Sequence, residues 1–263
     1  MQLLVVTGAG VSAASGIPLF RVGADAVWAK DTTEMGTSGF FRQAPVAQWR
    51  WYQERFRSAS TARPNAAHFA LARLEEAVPD FLLVTQNIDK LHEEAGSRKL
   101  VKVHGSADRV RCSKVGCKNA APSGSLAKSD FDADFQRFSD DPRRETLPSC
   151  PACGALLRPH VLWFDETYTE HDSYQFGRVA EFASAATDIY FIGTTLQVGV
   201  CAMVLEQGTR RARPAQVTVV DPDPRVEHLQ LAMRWSGLPD VRVDTVKAKA
   251  EKFLPRLVRE LGR

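Results

Sequence analysis

The stretch Leu3–Arg21, LLVVTGAGVSAASGIPLFR, opens with four apolar residues, passes through Gly8-Ala9-Gly10 and continues in small residues. Leu3–Val6 predicts a buried strand. Gly8, Gly10 and Ala13 fit the marked positions of G-x-G-x-x-A, the dinucleotide fingerprint that follows a first strand. That fingerprint makes a second demand, an acidic residue about 20 positions on, closing the next strand and holding a ribose hydroxyl. Asp25 and Asp31 lie near that distance, yet RVGADAVWAKD, which contains them, is not an apolar strand. Pro18 also discourages a continuing helix. The stretch therefore reads as a glycine turn able to cradle a pyrophosphate on backbone N–H groups. A short helical start follows, and the chain then leaves the sheet. Hydride transfer is the least favoured use of such a turn, because its acidic strand end is missing.

Outward from the turn, apolar β-rich runs recur at Phe81–Thr85, Leu100–Val103, Asp188–Ile192, Gln216–Val220 and Val241–Val246. Helix-period segments separate most of them: Ala66–Ala77 with Asn65 as cap, Tyr174–Ala185, Val200–Arg211 and Lys247–Leu261. Strands alternating with helices predict an α/β fold, a Rossmann-like parallel sheet covered on both faces. Val22–Ala62, which ends in the helix-like Pro45–Ser58, and Ser106–Arg158 break the alternation. The polar middle of the second, APSGSLAKSDFDADFQRFSDDPRRE, reads as a surface excursion. The expected organisation is a discontinuous sheet domain (1–24, 63–105 and 159–263), a helical insert (25–62) and a zinc-binding insert (106–158).

The 263 residues are 44% hydrophobic and 25% charged, as in ordinary soluble globular proteins. A net charge of +3 is too weak to argue for a nucleic-acid partner. No apolar run reaches the roughly 18 residues of a spanning helix, and no secretory leader pattern is visible, so a cytoplasmic location is expected. Of five cysteines, four form Cys112-x4-Cys117 and Cys150-x2-Cys153. In such a chain, close pairs read as metal ligands rather than disulfides, and four thiolates suit a closed, structural zinc site. Cys201 stands alone in an expected helix and reads as a buried thiol.

Polar residues collect just beyond the strands: Gln86, Asn87 and Asp89 after Phe81–Thr85, His104 after Leu100–Val103, Thr194 and Thr195 after Asp188–Ile192, and Asp221 after Gln216–Val220. In open α/β sheets, ligands bind at that rim.

GAGVSAASGIPLFR, TQNIDKLHEEAGS, VHG, the two cysteine pairs, RPHVLWFDE and GTTLQVG together resemble, in order and wording, the sirtuin family of NAD-dependent protein deacylases. The likeness runs from Leu3 to about Asp221. It implies a Rossmann-like domain with a smaller zinc-binding and helical domain, and NAD as co-substrate between them. The pyrophosphate would lie on Gly8, Ala9, Gly10 and Ser12. Arg21, Gln86, Asn87, Ile88 and Asp89 would position the nicotinamide ribose and carboxamide, with Phe20 as a cover that excludes water. Gly193, Thr194, Thr195 and Asp221 would face the adenosine half. His104 resembles the general base, acting with Asn87, Asp89 and Arg21. The acyl oxygen of a modified lysine would displace nicotinamide, and the acyl group would end on ADP-ribose. The partners implied are acyl-lysine proteins or peptides, added as a strand between VLWFDE and GTTLQVG, with Leu162, Trp163 and Phe164 walling the lysine tunnel. A monomer is expected.

Tyr52 and Arg55 share a helix face at i, i+3, and a hydroxyl beside a guanidinium suits a carboxylate. The pair resembles the Tyr-x-x-Arg of class III sirtuins, which remove succinyl and malonyl groups, and Gly36 resembles the small residue of their pocket wall. Two positions depart from the family: Asp165 stands where Gly is usual, and Asp221 where Asn is usual. The competing readings are ADP-ribosyl transfer or NAD hydrolysis at the same site, and, in another class, a non-catalytic zinc or nucleic-acid-binding protein.

Overall fold

The computed structural model describes residues 1–19, 31–210, 212–227, 229–230 and 242–261. Its strands are β1 (Gln2–Thr7), β2 (Asp80–Thr85), β3 (Leu100–Lys102), β4 (Gly105–Cys112), β5 (Leu126–Ala127), β6 (Leu157–Val161), β7 (Asp188–Ile192), β8 (Gln216–Asp221) and β9 (Val243–Lys247). Its α-helices are α1 (Asp31–Met35), α2 (Ser38–Gln43), α3 (Pro45–Thr61), α4 (Ala66–Ala77), α5 (Leu91–Glu94), α6 (Asp132–Asp140), α7 (Phe176–Ala185), α8 (Gly199–Thr209) and α9 (Ala250–Leu261). Among the described residues, no helix is long and apolar enough to cross a membrane.

Six strands form a parallel sheet in the order β3-β2-β1-β7-β8-β9. Both faces are covered, which explains the continuous apolar runs. Along β1, Leu4 and Val6 join Val179, Ala183, Val200 and Val204 of α7 and α8 on one face. Leu3 and Val5 join Leu71 and Leu74 of α4 and Leu254 and Leu257 of α9 on the other. Residues expected to continue as a helix from Lys247 instead close β9, whose Lys247 pairs with Asp221. Among the described residues directly after β1, 8–19, the chain makes two 3-10 turns, Ala9–Val11 and Ala13–Ser15, and no α-helix. Order therefore reverses beside β1: the next strand, β2, lies on one side of it and β7 on the other, the geometry of a ligand-binding switch point.

A second, antiparallel sheet, β5-β4-β6, runs from Gly105 to Val161. Gly105 is the pivot between the sheets. It has φ +82°, and a Cβ there would fall 2.1 Å from the His160 carbonyl oxygen, so only glycine fits. The polar middle of this segment is no mere excursion. Within it, α6 buries Phe135 and Phe138, and Phe135 packs at 4.7 Å against Trp49 of α3. Trp49 also donates its indole N–H to the Leu157 carbonyl at 2.8 Å. The helical insert and the cysteine-bearing segment thus share one apolar core, with Trp49, Tyr52 and Phe56 on one side and Val110, Phe138 and Leu157 on the other.

Candidate active site

The site forms where the loops after β1 and β7 touch. Gly8 N–H donates to the Ile192 carbonyl at 3.2 Å, and Gly10 N–H to that of Gly193 at 2.9 Å. A Cβ on Gly8 would meet Gly193 O at 2.8 Å, and one on Gly193, itself at φ +60°, would meet Val11 N at 2.7 Å. These glycines are required first by loop-to-loop contact. The N–H groups of Val11 and Ser12 are also taken, by the Gly8 and Ala9 carbonyls. Ala9, first in its 3-10 turn, has no partner for its N–H within that turn, which narrows the expected cradle to this residue and the rim opposite.

Behind the turn lies a buried polar chain. Ser12 Oγ donates to Asp89 Oδ2 at 2.9 Å. Asn87 Nδ2 donates to Ser12 Oγ at 3.0 Å and to the Gly8 carbonyl at 3.1 Å. Asn87 is thereby oriented with its amide oxygen left to face other groups. Asp89 Oδ1 accepts from Leu91 N–H, and Asn65 donates its amide N–H to the Val11 carbonyl. Asn65 also caps α4, accepting from Ala67 N–H. His68 Nδ1 accepts from Asn65 N–H at 3.2 Å, so its Nε2 carries the proton toward Ser12 Oγ, 3.5 Å away. His68 cannot therefore act as a base on Ser12, and the trio with Asp89 is scaffolding. Ile88 contributes its carbonyl to Ala107 N–H.

His104 stands at the end of β3. Its Nδ1 lies 2.9 Å from the Gln86 carbonyl, an acceptor only, so Nδ1 carries the proton and Nε2 is the acceptor. Tyr168 Oη fills that position at 3.1 Å. Burial pushes the imidazole pKa down to about 4, against the Gln86 carbonyl, which pulls it up. At neutral pH the ring is an unprotonated acceptor. The Gln86 side chain meanwhile ties the β2 rim to the β7 loop, 3.1 Å from Thr194 Oγ1 and 3.4 Å from Cys201 Sγ. Thr194 is buried and Thr195 exposed. Asp221, half-buried, accepts from Asp223 N–H at 2.9 Å in its own turn, and burial raises its pKa. Phe20 and Arg21 lie outside the described residues.

On the opposite wall, Leu162 N–H donates to the His104 carbonyl at 3.0 Å, and Phe164 N–H to that of Gly36 at 2.9 Å. Trp163 N–H goes to Glu166 Oε2. With three successive donors engaged, a strand added beside Leu162–Phe164 must pair through acceptors, of which the Trp163 carbonyl already takes Glu166 N–H at 3.0 Å. Phe164 is 48% exposed, whereas Trp163 is 2% exposed. Trp163 faces the small core, its indole N–H on Tyr52 Oη at 2.9 Å and its ring under the Arg158 guanidinium at 3.2 Å. Arg55 stacks over Trp51 at 3.7 Å. Burial keeps Tyr52 protonated, raising its pKa well above the ordinary value, so its O–H remains a donor. Asp165 has a clear role: its carboxylate accepts from Ser38 N–H (2.8 Å), Ser38 Oγ–H (2.6 Å) and Gly39 N–H (3.2 Å), latching this loop to the start of α2.

The four paired cysteines converge. Their Sγ atoms all lie within 4.8 Å of one another, with Cys112–Cys153 at 3.5 Å and Cys117–Cys150 at 3.7 Å. A tetrahedron with Zn–S bonds of about 2.3 Å has edges of roughly 3.8 Å, so the group fits zinc. Lys114 N–H and Asn119 Nδ2 donate to Cys112 and Cys150 sulfurs, both at 3.3 Å, the outer support such ligands need.

Three participants carried little signal in the sequence. Tyr168 sits in no periodic pattern. His68 was detectable only as the third residue after a helix cap. Glu166 accepts from both Arg158 and Arg111 in a buried cluster. Burial alone would raise the Glu166 pKa, but the guanidiniums hold it below the usual range.

Comparison with known proteins agrees with this geometry. The Sir2 family model matches residues 8–200. An NAD-dependent protein deacylase of Pyrococcus abyssi is 32% identical over 99% of this chain and 93% of its own length. One from Aeropyrum pernix is 32% identical over 97% and 91%. Among solved structures, a Sir2 homolog–NAD complex superposes with TM-score 0.75 at 32% identity, covering 99% of this chain and 89% of that one. A complex of a mutant Sir2 homologue with ADP ribose gives 0.76 at 31%, covering 99% and 91%.

Proposed function

The chain belongs to the Sir2 family, and on that premise we propose that it is an NAD-dependent protein-lysine deacylase whose pocket favours succinyl- and malonyl-lysine. The observation that carries the reaction class is the tautomer of His104: Nδ1–H is spent on the Gln86 carbonyl, so Nε2 presents a lone pair at the sheet's ligand-binding rim. An unprotonated imidazole is suited to take a proton from a ribose hydroxyl. Bound NAD supplies an activated ribose carbon and accepts the acyl group, releasing nicotinamide. The protein's share is orientation and water exclusion. Ala9 N–H and Thr194 with Thr195 would hold phosphate and adenosine groups. The Asn87 amide oxygen, fixed by its two donated bonds, would orient the nicotinamide ribose. Asp89 keeps Ser12 and Asn87 in place, and Asp221 would accept from the adenosine ribose. Arg21 and Phe20 would close the nicotinamide side. One structural zinc on Cys112, Cys117, Cys150 and Cys153 would stabilise the smaller sheet without entering the chemistry.

Support for an acidic acyl group is that Tyr52 is a permanently protonated donor whose oxygen is already satisfied by Trp163, one turn from the Arg55 guanidinium. Gly36, buried with its carbonyl on Phe164 N–H, would leave room for the longer chain. The test is mass spectrometry of succinyl-, malonyl- and acetyl-lysine peptides with NAD. Acyl-ADP-ribose should form with wild type and vanish with His104→Ala. Arg55→Met should depress desuccinylation while sparing deacetylation. NAD loss without acyl transfer would replace the reading with NAD hydrolysis or ADP-ribosyl transfer. Equal rates on all three peptides would remove the acidic-acyl preference alone.

A further inference from the structure

Tyr168 makes a contact that no motif announces. Its hydroxyl lies 3.1 Å from His104 Nε2, and the two rings stack at 5.8 Å and 28°. Since Nε2 is the acceptor, Tyr168 is the donor. Its oxygen in turn accepts from Val200 N–H, in the first turn of α8, at 3.4 Å. The ring lies flat on Phe176, 4.7 Å between centroids and 12° between planes. It also borders Gly199, where a Cβ would sit 3.4 Å from Tyr168 Cε2. The side chain is thus held by the base, by the start of α8 and by an aromatic shelf. Burial pushes its pKa up to about 12, so it stays a donor at any working pH.

An imidazole Nε2 has one in-plane lone pair, which accepts one well-aligned hydrogen bond. Tyr168 occupies it here. The hydroxyl that His104 is to deprotonate needs the same lone pair. We propose that Tyr168 is a positioning residue for the general base, its hydroxyl standing in for the ribose hydroxyl of NAD and yielding to it on binding. The inference rests on the deacylase reading above. While the site waits, the Tyr168 bond holds the imidazole plane and keeps Nε2 aimed at the rim. When NAD arrives, that bond must break. A net hydrogen bond corresponds to roughly two- to tenfold in an equilibrium constant, so the stand-in weakens NAD binding by that factor in return for a pre-aimed base.

Tyr168→Phe removes the hydroxyl and keeps the ring on Phe176. NAD affinity, measured by calorimetry, and KM for NAD should both improve two- to tenfold. A merely structural tyrosine would not tighten NAD when altered. Imidazole 15N spectra of the NAD-free protein provide a check that needs no turnover: the Nε2 signal of His104 should move to the position of a weaker acceptor in the variant, with the Nδ1–H tautomer unchanged. Unchanged or weaker NAD binding in a folded Tyr168→Phe protein, with wild type active on acyl peptide, overturns this inference alone. Wild type that transfers no acyl group to NAD overturns the deacylase reading and this inference with it.

Discussion

Acidification from pH 7 to pH 5 should cost this protein several kcal/mol of folding stability, because its histidines are buried in the neutral form. His68 and His160 are 0% and 2% exposed. Burial pushes the His68 pKa down to about 4, despite the pull of Asp89. It pushes His160 down to about 3, helped by His171 and Arg111. The unfolded chain takes up these protons around pH 6.5. The native state does so only near 4 and below, so the stability present above pH 6.5 is lost as pH falls toward the folded values. Integrating proton uptake between pH 7 and 5 gives about 2 kcal/mol per histidine, hence about 4 kcal/mol for the pair. Burial likewise lowers the pKa of His92 and His104, which adds to the loss. Against a usual total of about 5–15 kcal/mol, the protein should approach its unfolding limit near pH 5. Urea titrations followed by tryptophan fluorescence at pH 7.5, 6 and 5 measure the effect. A His68→Asn variant should lose about 2 kcal/mol less than wild type over that span. A stability that stays within about 1 kcal/mol across the range would refute the reasoning, showing that these rings are solvated or charged in the native state.

Glu166→Gln leaves Arg111 and Arg158 buried without their carboxylate and should cost about 3–5 kcal/mol in urea unfolding. Gly193→Ala forces an L side chain to φ +60° and drives its Cβ to 2.7 Å from Val11 N. It should cost about 2–4 kcal/mol, read as a lower melting temperature, and should weaken NAD binding. Chelation should strip the four-cysteine site and lower the melting temperature, with zinc restoring it; a melting curve indifferent to chelator would dismiss the structural metal. Asn65→Ala removes the α4 cap and the bond to the Val11 carbonyl and should cost about 1–2 kcal/mol in urea unfolding.

The parallel sheet was legible because its strands are sealed on both faces. Leu3–Val6 and Phe81–Val84 need no alternation to be recognised. The helix Ala66–Ala77 was legible from Asn65, whose side chain fixes where it begins. The cysteine pairs were legible from spacing alone. The antiparallel strands were not, because Arg111, Arg158 and His160 are charged or polar residues buried inside them, compensated by Glu166 from a loop that only the fold brings near. The helix α6 was hidden because two phenylalanines at i, i+3 suffice to anchor it in a polar run. The opening glycines were read as a phosphate cradle. Gly8 and Gly10 prove to be small chiefly so that Gly193 can approach, a constraint between segments nearly two hundred residues apart. Asp165 read only as a departure from the usual Gly, and its hydrogen bonds to Ser38 and Gly39 reveal a latch.

The shared core of the two insertions has a consequence for how such a protein can be altered. Gln53 of α3 reaches the Phe135 carbonyl and Ser139 of α6, as Trp49 reaches Leu157. The segment carrying Tyr52 and Arg55 is therefore bolted to the segment carrying the four cysteines, although neither borders the other along the chain. A chimera that swaps only the acyl-reading helix would orphan half of an interlocked joint. The exchangeable module is the pair, grafted together.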